Sequence, residues 1–317
     1  MNPLRPAILA AAGSPRMKRM LTGTPVTANI VRRFVAGETR DELIPVVREL
    51  LDSGRMISVD FLGENTTDRA QADATLAEYL ALINDLAALG GGLEGGAAAR
   101  VEVSVKLSAL GQALPDGGHA TATENLRILC VKAAQAGVWV TVDAEDHTTT
   151  DATLGTVRTV RAEFPWLGAV LQAYLHRTEA DCWELSGAES RIRLCKGAYR
   201  EPHAVAFQRA SEVTDSYLRC LAILMRGHGY PMVASHDPVL ITAAERLAIE
   251  TGRDAVGFEH QMLYGIRDVE QLRLAAAGNA MRVYVPYGNQ WYGYLTRRLA
   301  ERPANLAFFL RALVGDS

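Results

Sequence analysis

The run Tyr294-Leu295-Thr296-Arg297-Arg298-Leu299-Ala300-Glu301 sets two adjacent arginines between a tyrosine and a glutamate. On an α-helix Tyr294, Arg297, Arg298 and Glu301 fall at i, i+3, i+4 and i+7 and share one face. Two neighbouring guanidiniums can grip one planar anion, such as a carboxylate, from two directions, and they stay charged at any working pH. Taken alone, the run also reads as a solvated charged stripe with an Arg–Glu pair. Its place after everything upstream favours the clamp.

The elements that must position such a clamp follow from hydrophobic period. Short β-branched runs predict strands at 56–61, 101–105, 138–142, 169–171, 191–195, 232–235, 255–259 and 281–285. Helical spacing fills 66–89, 123–136, 152–164, 204–227 and 238–250 between them. Eight alternating β and α units predict an α/β chain folded as a (β/α)8 barrel. One domain over 1–317 is expected, with a helical arm at 1–50 and the barrel with C-terminal helices at 56–317. Chemistry should then sit at the C-terminal ends of the strands. Those ends supply Asp60, Lys106, Asp143 with Glu145, Gln172, Arg193 with Lys196, His236, Glu259 with Gln261, and Tyr284. A lone strand-end Asp is ordinarily a helix cap. A polar side chain on nearly every strand points to an enzyme, with a non-catalytic barrel as the alternative.

Bulk composition narrows the class. Hydrophobic residues make up 49% of 317 positions, enough for a large core, and the net charge of −3 argues against general nucleic-acid binding. Residues 1–37 hold six Arg or Lys and no acid. That segment reads as an arm packed on an acidic body, a surface for anionic lipid headgroups, or an organelle presequence. No apolar run is long enough to span a bilayer. Cys130, Cys182, Cys195 and Cys220 are widely spaced without a CxxC pair, which fits reduced intracellular thiols and a cytoplasmic location. Only four lysines accompany 29 arginines, and two of the four, Lys106 and Lys196, fall at strand ends.

There is neither a G-x-G-x-x-G fingerprint nor a P-loop, so any nucleotide cofactor must be held by strand-end groups. Lys196-Gly197-Ala198-Tyr199 follows the fifth strand, and its small residues would let a flat ligand approach the backbone; an ordinary βα turn is the plainer reading. His147, His176, His236 and His260 beside Asp143 and Glu145 raise a metal site, but no His-x-His or His-Glu-x-x-His is present, and Lys and Arg would crowd a divalent cation. No metal is expected. A Schiff-base lyase using Lys106 or Lys196 is a further alternative, although it leaves the Gly-Ala turn and the paired arginines unexplained.

Several segments in order resemble the proline dehydrogenase family of flavoenzymes, over about residues 56–310. They are Val103-Ser-Val-Lys-Leu-Ser-Ala-Leu110, Val142-Asp-Ala-Glu145, Leu171-Gln-Ala-Tyr174, Arg193-Leu-Cys-Lys-Gly-Ala-Tyr199, Ser235-His236, Gly257-Phe-Glu-His-Gln-Met-Leu263, Arg282-Val-Tyr-Val-Pro286 and Tyr294 to Glu301. The resemblance implies a distorted (β/α)8 barrel binding FAD noncovalently, with the last barrel helix over the site. It implies oxidation of L-proline to Δ1-pyrroline-5-carboxylate, the first step of proline breakdown to glutamate, with electrons passing to a membrane quinone and a peripheral contact with the inner membrane. Arg297 and Arg298 would clamp the proline carboxylate, and Lys106 and Asp143 would lie on the substrate side. Tyr284, Leu263 and Tyr199 would wall the ring. Arg193 would sit near flavin N5 and Gln172 at the pyrimidine edge, with Ala144, Lys196, Gly197, Ala198, Ser235 and His236 holding the rest of the cofactor. Glu301 would steady the helix beside it.

Two departures from the commoner family pattern stand out. Arg200 follows Tyr199 where longer bifunctional members usually carry Trp, and Ala300-Glu-Arg302 replaces a Leu-Glu-Asn run. With the chain ending at Ser317, a separate pyrroline-5-carboxylate (glutamate semialdehyde) dehydrogenase is expected to oxidise the product. The bulk of Tyr284 favours proline over hydroxyproline.

Overall fold

Each alternating β-branched run and helical stretch takes its place in one closed parallel barrel. The structure, a computed structural model, describes residues 31–89 and 100–295. Helix α1 (Arg40–Asp52), capped by the Thr39 hydroxyl, leads into β1 (Met56–Phe61). There follow α2 (Arg69–Ala88), β2 (Val101–Val105), α3 (Gly118–Ala136), β3 (Trp139–Val142), α4 (Thr150–Arg161) and β4 (Gly168–Gln172). The second half runs α5 (Thr178–Leu185), β5 (Arg191–Cys195), α6 (Ala210–Arg226), β6 (Tyr230–Ala234), α7 (Pro238–Thr251), β7 (Glu259–Leu263), α8 (Asp268–Ala276) and β8 (Met281–Tyr287). The strands pair in sequence order, all parallel, and β1 closes on β8.

Strand and helix positions follow the expected runs with one clear correction. The seventh strand occupies Glu259–Leu263, not 255–259. The Asp254 carboxylate accepts the Val256 N–H at 3.2 Å and its carbonyl accepts the Gly257 N–H at 3.1 Å, so the apolar stretch 255–258 turns instead of extending. Glu259 therefore begins β7 instead of ending it, and it lies away from the mouth. Smaller shifts place Ser235 and His236 in the loop after β6 and start α6 at Ala210 instead of residue 204. The short helices α5 and α8 complete the alternation.

The apolar core lies between strands and helices. Ile57, Val59, Val101, Val103, Val105, Val140 and Val142 face outward from β1–β3 onto helix residues such as Leu82, Leu86, Leu126 and Leu129, all fully buried. The opposite strand faces line the barrel lumen and are strongly polar, where branched aliphatics usually fill it. At the C-terminal end, Trp291, Tyr294 and Leu295 pack with Val31, Phe34, Val35 and Leu62. The Trp291 indole N–H also donates to Glu38 at 2.9 Å. The helical residues 291–295 are thus seated on the segment that precedes α1. Arg297, Arg298 and Glu301 lie outside the described residues.

Candidate active site

Five strands bring one charged cluster to the C-terminal mouth. Lys106 leaves the end of β2 and places Nζ 2.8 Å from both carboxylate oxygens of Asp60 on β1. The same ammonium lies 3.5 Å from Asp143, which follows β3. Both Asp143 oxygens are engaged: Oδ1 accepts from Arg193 Nη1 of β5 and Oδ2 from the Tyr284 hydroxyl of β8, each at 2.7 Å. Burial pulls the Lys106 ammonium down, but Asp60 and Asp143 outweigh it, so its pKa stands above the ordinary lysine value. Burial and the adjoining Asp143 carboxylate raise the Tyr284 phenol far above its usual range, which keeps it a hydrogen-bond donor.

Below the mouth the lumen holds a continuous ion network. Arg193 donates to Glu102 at 2.6 Å, to Ser104 at 2.7 Å and, through Nε, to Gln261 at 2.6 Å. Glu102 also accepts from Arg191 at 2.5 Å, Ser58 at 2.7 Å and Thr141 at 2.9 Å. Gln261 passes the chain to Glu259, which holds Arg282 through Nε at 2.8 Å and Nη2 at 2.9 Å. The guanidinium of Arg191 stacks on Trp139, 3.6 Å from the ring centroid. Burial opposes ionisation of Glu102, but Arg191, Arg282 and Arg193 override it and hold the carboxyl well below the usual range. Lys106, Arg191, Arg193 and Arg282 face Asp60, Glu102, Asp143 and Glu259, so the network balances its own charge.

The turn after β5 forms the second part of the site. Gly197 has φ +107°, and any Cβ there would overlap the Tyr174 ring, so only glycine fits. Lys196 Nζ pairs with Asp237 at 2.8 Å. Asp237 in turn caps α7 through the Val239 N–H, and its own N–H donates to the Ser235 hydroxyl. The Leu263 N–H donates to His236 Nε2 at 2.9 Å, which leaves the ring proton of a neutral His236 on Nδ1. Arg267 Nη1 donates to the His236 carbonyl at 2.7 Å. Gln172, buried at the end of β4, donates to the Glu145 carbonyl at 2.7 Å, and the Glu145 carboxylate accepts the Ser108 hydroxyl at 2.5 Å. Ala144, Tyr199 and Leu263 are half-buried beside these groups.

The structure therefore joins Lys106, Asp143, Arg193 and Tyr284 directly, and joins Ser235, His236 and Leu263 through neighbouring hydrogen bonds. It sends Glu259 to the base of the lumen and His260 outward from β7, fully buried against Phe258. Glu102, Ser58 and Ser104 were not marked by strand-end position. The alternation Glu102-Val-Ser104-Val and Arg191-Ile-Arg193 carries the signal, because period two puts those polar residues on one face. Among the described residues no group of three or more His, Cys, Asp or Glu is arranged to hold a metal ion.

The closed barrel, with ionisable side chains converging where its strands end, belongs to the enzymes of the (β/α)8 class. The family model "Proline dehydrogenase" matches residues 43–311, and the chain belongs to the proline dehydrogenase family. It is 36% identical over 312 residues to a proline dehydrogenase of Deinococcus radiodurans, covering 98% of this chain and 97% of the relative. It is 37% identical over 283 residues to proline dehydrogenase 1 of Bacillus subtilis, covering 89% and 90%. Among solved structures, proline utilization A (PutA) from Bdellovibrio bacteriovorus inactivated by N-propargylglycine superposes with a TM-score of 0.78 at 26% identity. That match covers 86% of this chain and 32% of the other.

Proposed function

We propose that this enzyme oxidises L-proline to Δ1-pyrroline-5-carboxylate with noncovalently bound FAD and delivers the electrons to a quinone at a membrane surface. The observation that carries the reading is the convergence of Lys106, Asp143 and Tyr284 beside a βα turn too tight for any residue but glycine. The cradle fits the cofactor in chemistry: beside the small Gly197-Ala198 turn, Lys196, His236, Ser235 and Gln172 supply donors for phosphate and ring edges. Ala144 and Glu301 complete this set. FAD bound there supplies the two-electron acceptor.

The chain's own residues bind and orient the substrate. Arg297 and Arg298 grip its carboxylate bidentately, which fixes a small rigid molecule that offers few other handles. Lys106 and Asp143 border the substrate amine, and Tyr284, Leu263 and Tyr199 enclose the ring. Arg193, its charge matched by Glu102 and Asp143, would lie on the side where electron density arrives. The phenol of Tyr284, fixed to Asp143, leaves little space for a ring hydroxyl. Product oxidation falls to a separate pyrroline-5-carboxylate dehydrogenase. Contact with the quinone pool would be peripheral, from the cytoplasmic side. No helix of the described residues is long and apolar enough to cross a membrane.

One spectrum tests this. Protein supplied with FAD should show flavin absorbance that bleaches on anaerobic addition of L-proline. Protein that takes up no FAD, or a flavin that L-proline leaves oxidised, overturns the assignment.

A further inference from the structure

A carboxylate just past the cofactor turn makes no ion pair with a lysine or arginine among the described residues, yet it is almost completely buried. The Glu201 side chain is 3% exposed and accepts the His147 backbone N–H at 2.9 Å, the Nδ1 side of the His147 ring, and the Tyr174 hydroxyl at 3.2 Å. His147 belongs to the loop after β3, Tyr174 to the loop after β4, and Glu201 to the loop after β5. A buried carboxylate is costly unless its lone pairs are filled, and here the donors come from the two preceding βα loops.

Tyr174 connects this point to the turn. Its ring lies against the Cα of Gly197 so closely that no Cβ fits between them. Its N–H donates to the Lys196 carbonyl at 3.0 Å, and its carbonyl accepts the Phe207 N–H at 2.8 Å. Beyond it, Leu175 and Ala206 form an antiparallel bridge, and the His176 N–H donates to the Val205 carbonyl at 2.9 Å. Gln208 Nε2 donates to the Glu201 carbonyl at 3.2 Å and to the Ala206 carbonyl at 2.8 Å, folding the long β5–α6 connection back on itself. The ring of Tyr174 thus sets where Gly197 can be, and Glu201 sets where the phenol can be.

We infer that Glu201 is a positioning residue for flavin binding, a latch that ties three βα loops together and holds the Lys196–Tyr199 turn preformed. The inference rests on the FAD reading above. Preorganisation of this kind acts on affinity, because a turn already in its bound shape gives up less freedom when the ligand arrives.

The test is FAD titration of the apoprotein by flavin fluorescence, beside steady-state kinetics at saturating FAD. Glu201→Gln turns an NH2 group toward the His147 donors, and Tyr174→Phe removes one hydroxyl without removing the ring that seats Gly197. Glu201→Gln should weaken FAD binding about tenfold, and Tyr174→Phe by a smaller factor in the same direction. The KM for proline and kcat at saturating FAD should remain within about twofold of wild type, a split that general destabilisation would not produce. Wild-type affinity for FAD in both variants overturns the latch and leaves the flavin assignment standing. So does a loss of kcat and FAD affinity in proportion to lost folded protein. If wild-type protein takes up no FAD, the flavin assignment itself fails and the latch with it.

Discussion

Deep in the lumen, Arg193 Nη2 lies 2.6 Å from Glu102 Oε1, both side chains almost wholly shielded from water. One carboxylate thereby joins the mouth of the barrel to its base, because Glu102 also holds Arg191. Replacing it with Gln leaves the guanidiniums of Arg191 and Arg193 under-compensated. Glu102→Gln should cost about 3–5 kcal/mol in urea denaturation at pH 7. The arginines depress the Glu102 pKa, so its contribution is present above the ordinary carboxylate value and fades as pH falls below about 4. The gap between wild type and variant should narrow in acid. A gap that is constant with pH would show that the charge is irrelevant.

Lys106 bridges Asp60 and Asp143, and nothing else among the described residues neutralises Asp60. Lys106→Met should lower kcat/KM for proline by about a hundredfold or more and destabilise the fold, since one buried carboxylate is left unpaired. Adding Asp60→Asn should recover stability without recovering activity. Denaturation of single and double variants reads the first effect, and proline turnover the second.

Gly197→Ala places a methyl group into the Tyr174 ring at a backbone conformation that L-residues rarely adopt. The variant should fold but lose flavin absorbance after gel filtration. Retention of stoichiometric FAD would exclude this turn from the cofactor site.

On the proposed carboxylate clamp, Arg297→Ala and Arg298→Ala should each raise the KM for proline about tenfold or more while FAD stays bound, because each would remove one charged fork. Unchanged proline kinetics in both variants would remove the clamp.

His260 is buried on the outward face of β7, where burial lowers its pKa to about 4. As pH falls from about 6.5 towards 4, the unfolded chain takes up a proton that the folded chain refuses, so this residue weakens the fold in acid. His260→Leu should flatten the pH dependence of stability over that window by up to about 3 kcal/mol. Parallel pH profiles for the two proteins would contradict it.

The residues alone determined the eight-unit alternation, the barrel, and the strand ends that carry Lys106, Asp143, Gln172, Arg193 and Tyr284, because period two and period 3.6 are local properties of the chain. They misplaced the seventh strand. Ala255–Phe258 has the apolar look of a strand, while the real one, Glu259-His-Gln-Met-Leu263, is polar because it faces a charged lumen. Period could not reveal which charge meets which: Lys106 and Asp60 are 46 positions apart, Arg193 and Glu102 91, and Tyr284 and Asp143 141. Such pairs exist only once the strands are assembled side by side around the lumen. Tertiary structure therefore decided that Arg193 is matched by lumen acids and that Glu201 gathers three loops, since a Coulomb contact depends on distance in space and carries no trace in sequence spacing.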